Sequence, residues 1–192
     1  MLPSPPLSIT VSLPAWTAEV VPWERHFPTD EDRMRLTIAL ARENVLRETG
    51  GPFGAAVFAM DTGALVAVGV NGVVRQRNAA LHGEMMAYML AQHRVGSYTL
   101  DAPGLPPHEL VTSCEPCAMC LGATLWSGVR RVVIGARRED ALAIGFDEGP
   151  VFSESYAYLE QRGVAIRRDV LRDEARAVLE LYRHREGAIY NG

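Results

Sequence analysis

Two short polar clusters, far apart along the chain, constrain its folding more than any other feature: His82-Gly83-Glu84 and Pro116-Cys117-Ala118-Met119-Cys120. Pro116 suits the first position of a helix, where a missing N–H is no loss and a fixed φ helps the turn. Cys117 and Cys120 then fall three apart on one face, at the positive end of that helix. Such a position lowers the pKa of a thiol and readies it as a metal ligand. Two thiolates need further partners, and His82 offers a borderline-soft nitrogen. A Cys2His set with one open position is the donor arrangement of a catalytic zinc, whereas a structural zinc site is closed by four protein ligands. Any fold for this chain must therefore bring two helix starts to one point.

Glu84 sharpens the reading. Residues two apart within a helix do not share a face, so His82 and Glu84 converge on one metal site only from an opening turn. A His-x-Glu followed by Pro-Cys-x-x-Cys is the signature of zinc deaminases, where the glutamate moves protons and does not ligate. Taken singly, the parts say less. A lone Cys-x-x-Cys also suits a redox pair or a structural half-site, and a lone histidine is more often a packed residue.

The rest of the composition narrows the class. At 192 residues and 48% apolar, the chain suits one domain with a sizeable core. It has no run of eighteen apolar residues, which speaks against a membrane span. The opening Met1-Leu2-Pro3-Ser4-Pro5-Pro6 lacks a basic region and does not read as a signal peptide. Cys114 is left over from the metal set as a small buried filler at a strand end, which fits a reducing cytoplasm. All 19 basic residues are arginine, excluding lysine Schiff-base chemistry and a lysine-dependent phosphate loop. The net charge of −4 is opposite in sign to a nucleic-acid surface. Arg130, Arg131, Arg137 and Arg138 read as solvated charge beside a strand.

Residues 1–28 form an expected N-terminal extended arm, packed by Trp16 and Trp23, and residues 29–192 an expected catalytic domain. Thr29-Asp30-Glu31-Asp32 caps a helix running to about Glu48 and stopped by Gly50-Gly51. A hairpin follows, Ala55 to Met60 and Ala64 to Val70. The second helix runs from Leu81 to about Gln92, with methionines that read as core filling. Glu109 to Thr112 is a strand delivering the cysteine turn, Cys117 to Trp126 a helix, and Arg131 to Gly135 a strand. Residues 141–150 look like an irregular loop, Val151 to Gln161 a helix, Val164 to Arg168 a strand and Arg172 to His184 a closing helix. No internal repeat is visible, and the pattern reads as one α/β unit with helices on both sheet faces.

At these residues the chain resembles the cytidine deaminase superfamily, and within it most the guanine branch of bacteria. The resemblance spans roughly residues 30–190. It rests on Gly51-Pro52-Phe53-Gly54-Ala55, the His82/Glu84 pair, Thr112 through Ala123, and Ala143-Ile144-Gly145-Phe146-Asp147-Glu148. It implies a three-layer α/β/α fold with a central mixed sheet of about five strands. It implies that His82, Cys117 and Cys120 hold Zn2+ while Glu84 shuttles protons. Phe53 would stack on a heterocycle, Asn71 would hydrogen-bond its edge and the Gly83 N–H would lie close to it. Trp126 would wall the pocket and Glu148 would contact the substrate near the leaving amine. Tyr190 would close a partner's pocket in a homodimer domain-swapped at the C-terminus. On their own residues, Phe53 and Trp126 fit a core equally well, and Asn71 beside Gly72 fits a turn.

The implied reaction is hydrolytic deamination of a small amino-heterocycle, first guanine to xanthine and ammonia. Guanosine or another nucleoside, an aminotriazine, and wobble adenosine in tRNA are the alternative substrates. A zinc-stabilised binding domain without turnover is the non-enzymatic reading. Two departures from the family pattern, Gly83 for alanine and Leu81 for a small residue, bear on the pocket floor and hence on substrate identity.

Overall fold

The computed structural model describes residues 7–191, so Met1 to Pro6 of the expected arm lie outside the described residues. Among residues 7–27 the expected extended arm contains a helical turn, α1 (Thr17–Val20). Trp16 before it is buried, and its indole N–H donates to Thr49 Oγ1 at 3.0 Å. The segment turns here because a tryptophan gains most when its ring is buried and its N–H is paired.

Helix α2 (Asp30–Leu46) starts where the capping signal puts it, with the Thr29 hydroxyl accepting from the Asp32 N–H and three acids in the first turn. Strands β1 (Gly54–Ala59) and β2 (Leu65–Val70) form the hairpin, followed by a short turn, α3 (Val73–Gln76). Next come α4 (Gly83–Val95), β3 (His108–Cys114), α5 (Ala118–Ser127) and β4 (Arg131–Ala136). The chain finishes with α6 (Arg138–Leu142), α7 (Ser153–Gln161), β5 (Ala165–Arg167) and α8 (Arg172–His184). The expected loop over residues 141–150 therefore begins inside a helical turn. Asp140 caps that turn by accepting the Arg137 N–H, a local bond that needs no hydrophobic period to form.

The five strands make one mixed sheet in the order β2-β1-β3-β4-β5, antiparallel through β3 and parallel beyond it. Both faces are covered, so the strands read as continuous apolar runs. Alternation along β1 divides the core: Ala56 and Phe58 pack with α2 and α8, while Ala55 and Val57 pack with α4, α5 and α7. Each large side chain buried in these layers, such as Phe58, Leu110 or Leu179, stabilises by about 1.5–3 kcal/mol. Helix α4 presses on β2 so closely that a Cβ at Gly69 would come 2.0 Å from the Gly83 carbonyl oxygen, a contact only glycine permits. Among the described residues no helix is long and apolar enough to cross a membrane.

At the start of β3, charge is buried in matched pairs. Glu109, fully buried, is bonded by Arg33 and by Arg131 Nη1 at 2.9 Å. Asp30 takes Arg131 Nη1 at 2.7 Å and is also bonded by Arg167.

Candidate active site

The other end of the sheet is where the two helix starts meet. His82 is the N-cap of α4 and Cys117 the N-cap of α5, both in extended backbone. Pro116 therefore precedes the N-cap and does not begin the helix as expected. Its ring instead biases Glu115 towards the extended conformation that leads out of β3. Cys117 and Cys120 thus occupy the cap and the first turn, and Glu84 lies in the first turn of α4, where it can share a site with His82.

The donor atoms of His82, Cys117 and Cys120 all lie within 4.8 Å of one another. Cys117 Sγ is 3.5 Å from His82 Nδ1. A tetrahedral zinc with ordinary Zn–S and Zn–N lengths would hold a sulfur and a nitrogen about 3.6 Å apart. The triad is therefore spaced for that ion, with two sulfurs and one imidazole as the donors zinc takes.

The electrostatics follow from burial beside thiolate charge. Cys117 is lowered to about 4, first by hydrogen bonding with Cys120 and then with His82. Cys120, which donates in that pair and is buried, is pushed well up. For His82, burial acts downward, but bonding to Cys117 and the charge of Glu84 overcome it and the net shift is upward. Glu84 is raised to about 7 by burial and then by the Cys117 charge. Glu148 is raised to about 8 by burial, then by Cys117 and Glu84. Two carboxyls held near neutrality in one cleft suit proton transfer at physiological pH.

The structure places the other expected site residues as follows. Asn71 is fully buried, and its Oδ1 accepts from Gly51 N at 3.4 Å and Val73 N at 3.3 Å. Its Nδ2 has no partner. Phe53 packs edge-on to Phe146 at 5.0 Å, and Phe146 lies 5.0 Å from the Tyr190 ring. Tyr190 sits 6.4 Å from His82 of its own chain, with its hydroxyl buried and unpartnered. Gly83 is closely approached: an added Cβ would meet the Phe53 carbonyl oxygen at 3.3 Å, so that backbone would have to give by a few tenths of an ångström. Leu81, before the N-cap of α4, is buried. Trp126 lies apart. Six residues past Cys120 it has rotated off the inward face and stands 79% exposed, so the structure does not bring it to the cluster.

Sequence reasoning passed over Asn44. This buried α2 residue donates from Nδ2 to Gly51 O at 2.9 Å and Asn71 O at 3.0 Å, holding the two segments that carry Phe53 and Asn71. Its signal was a polar residue on an otherwise apolar stripe, beside Ala41 and Val45. Cys114 is the buried filler expected of it, its thiol pushed well up by burial.

A covered mixed sheet with a Cys2His triad and a buried glutamate at paired helix starts defines a zinc-dependent aminohydrolase of the deaminase class. Residues 28–136 match the cytidine and deoxycytidylate deaminase zinc-binding region, and the chain belongs to that family. It is 36% identical over 134 residues to a guanine deaminase of Bacillus subtilis, covering 70% of this chain and 81% of that protein. A guanine deaminase from Nitrosomonas europaea is 44% identical with a TM-score of 0.88, over 92% of this chain and 97% of that one. NE0047 in complex with 2,6-diaminopurine is 45% identical with a TM-score of 0.89, over 95% of this chain and 96% of that one.

Proposed function

We propose that this chain hydrolyses guanine, with water replacing the 2-amino group to give xanthine and ammonia. The observation that carries the reading is 44% identity over 92% of the chain to a guanine deaminase of the same fold. NE0047 and its variants bind 2,6-diaminopurine and 8-azaguanine, both aminopurines.

His82, Cys117 and Cys120 would hold the zinc, which when bound supplies the Lewis acidity that makes a water nucleophilic near neutral pH. Glu84 would serve as the proton carrier, accepting a proton from the attacking water and passing protons to the ring nitrogen and the departing amine. The free Asn71 Nδ2 donates to the acceptor edge of the base, its orientation fixed because Oδ1 is already engaged. Phe53 stacks on the ring, the Gly83 N–H faces its edge, and Glu148 contacts the side that carries the leaving amine. Tyr190 closes the pocket in cis and excludes bulk water.

The test is zinc-loaded protein incubated with guanine, guanosine, adenine, cytosine, melamine and tRNA in parallel, reading ammonia and the deaminated product. Xanthine and ammonia in equal amounts from guanine are expected. Turnover of another substrate without turnover of guanine would overturn the reading. Against the tRNA alternative, the arginines that would hold phosphates are engaged within the fold. Arg130 bonds Asp101 at 3.0 Å, Arg131 bonds Asp30 and Glu109, and Arg137 bonds Asp169 at 2.7 Å.

A second copy of this chain is the proposed protein partner. Leu125 and Tyr158 are exposed in the lining of a groove of about 400 Å³ between α5 and α7, and Met119, Trp126 and Phe152, on or next to the same two helices, are exposed as well. Sedimentation should give a dimer, and Trp126→Glu a monomer. Three cysteines without a disulfide suit a reducing cytoplasm.

A further inference from the structure

Glu148 sits in an irregular turn between Gly145 at φ +103° and Gly149 at φ +67°, so something other than regular secondary structure must fix its carboxylate. On one side the turn hangs on the C-terminal tail. Asp147 N donates to Asn191 O at 3.0 Å, and Asn191 Nδ2 donates to Asp147 O at 2.8 Å. That tail carries Tyr190, whose ring lies 6.4 Å from His82 with its hydroxyl buried, and on the proposed function it lifts to admit the substrate. It is therefore a poor anchor for a group that has to stay in register while the pocket opens.

The other side of the turn is tied to the body of the domain. The Glu148 carbonyl accepts from Ala118 N at 2.9 Å, at the start of the metal-binding helix. The next carbonyl, Gly149 O, accepts from Arg138 Nη2 at 2.8 Å. Arg138 is itself held: its N–H donates to Glu115 Oε2 at 3.1 Å, and Glu115 faces Arg168, whose guanidinium lies over the Tyr156 ring at 4.1 Å. Arg138 makes no ion pair among the described residues, and its Nε is buried without a partner. Neighbouring Arg137 differs, pairing with the Asp169 carboxylate through two bonds of 2.7 Å, so of these two arginines only Arg138 is committed to the turn that carries Glu148.

We propose that Arg138 is a positioning residue for Glu148, clamping the Gly149 peptide so that the carboxylate keeps its place when the C-terminal tail lifts. The proposal rests on the reading that Glu148 contacts the substrate. Arg138 acts through the turn, by its bond to Gly149 O, and its charge also bears on the Glu148 carboxyl, opposing the upward shift from burial.

The experiment measures kcat, KM, zinc content and Tm for Arg138→Met, Arg138→Lys and, as a control, Arg137→Gln. The same Arg138→Met change is repeated in a Glu148→Gln background. The assay uses whichever amino-heterocycle the parent deaminates, so inactivity of the parent on guanine reports on the substrate reading alone. Arg138→Met should keep one zinc per chain and lose about 10- to 100-fold in kcat, the scale of an ångström of misplacement, with KM changed less than threefold. Arg138→Lys should recover at least half of that loss on a logarithmic scale, and Arg137→Gln should match the parent. In the Glu148→Gln background, Arg138→Met should cost nothing further, because the group it positions is gone. An unchanged kcat, a loss matching lost zinc or lost folded protein, no recovery with lysine, or an equal loss in the Glu148→Gln background would each overturn the proposal.

Discussion

Strand β3 ends in two buried polar regions of opposite character. At its start, Glu109 and Asp30 are bonded by Arg33, Arg131 and Arg167, and each buried carboxylate meets a guanidinium. Past its end, Glu84 and Glu148 are buried with thiolate charge beside them, and the Asn71 amide and Tyr190 hydroxyl lack partners. The first region satisfies itself, and so it can only hold the sheet to α2. The second is left unsatisfied, and an orphaned buried polar group costs about 1–3 kcal/mol until something pairs with it. Burial alone therefore does not mark a working site; what separates these two regions is whether each buried carboxyl meets a guanidinium or a thiolate.

The sharpest way to break this contrast is Glu84→Ala. Turnover should fall by about a thousandfold, within the range of general acid–base catalysis, while zinc stays bound and Tm does not drop. Loss of zinc with the glutamate would give Glu84 a ligand role and undo the distinction between regions.

The mirror experiment is Glu109→Ala, which strands buried Arg33 and removes one Arg131 contact. Urea unfolding should show a loss of about 3–5 kcal/mol, the cost of breaking one partner of a buried pair. Turnover per folded molecule should be unchanged.

The two regions should also respond to pH with opposite sign. Asp30 is buried, which acts to raise its pKa, but Arg131 and Arg167 prevail and lower it. Its contribution is complete above the ordinary aspartate value and is lost as pH falls through the lower folded value. Glu148 is raised from 4.5 to about 8, so the folded state binds its proton more tightly and stability falls as pH rises across that window. In chelated protein, Glu148→Gln should therefore gain on the parent between pH 5 and pH 8, by on the order of a few kcal/mol. A difference that does not change with pH would remove Glu148 from the unsatisfied set.

The smallest effect expected is at the pocket floor. Gly83→Ala puts a methyl 3.3 Å from Phe53 O, so stability should move by less than about 1 kcal/mol and zinc should remain. A change in the ranking of purine substrates would show that this position tunes selection.

The metal site was legible in the sequence because its chemistry is local: cap positions and a three-residue spacing are enough to aim His82, Cys117 and Cys120. Helices α2 and α8 and the apolar strands were legible from period and capping. The turns α1, α3 and α6 were not, since four or five residues do not display a helical repeat. The pairs of Asp30 with Arg131 and Arg167 span 101 and 137 positions and leave no local pattern. Trp126 was misplaced for a related reason. Its helix was read correctly, but whether a residue faces inward depends on what covers that helix, which the sequence of the helix does not state.

Glycine 69 has a practical consequence for anyone diversifying this enzyme. The height of α4 above the sheet, and with it the reach of His82 towards the two sulfurs, depends on the absence of a single methyl group there. A library randomised at Gly83 should return alanine as its main viable replacement, because the Phe53 carbonyl is already 3.3 Å from a Cβ there, whereas one randomised at Gly69 should return only the parent codon family.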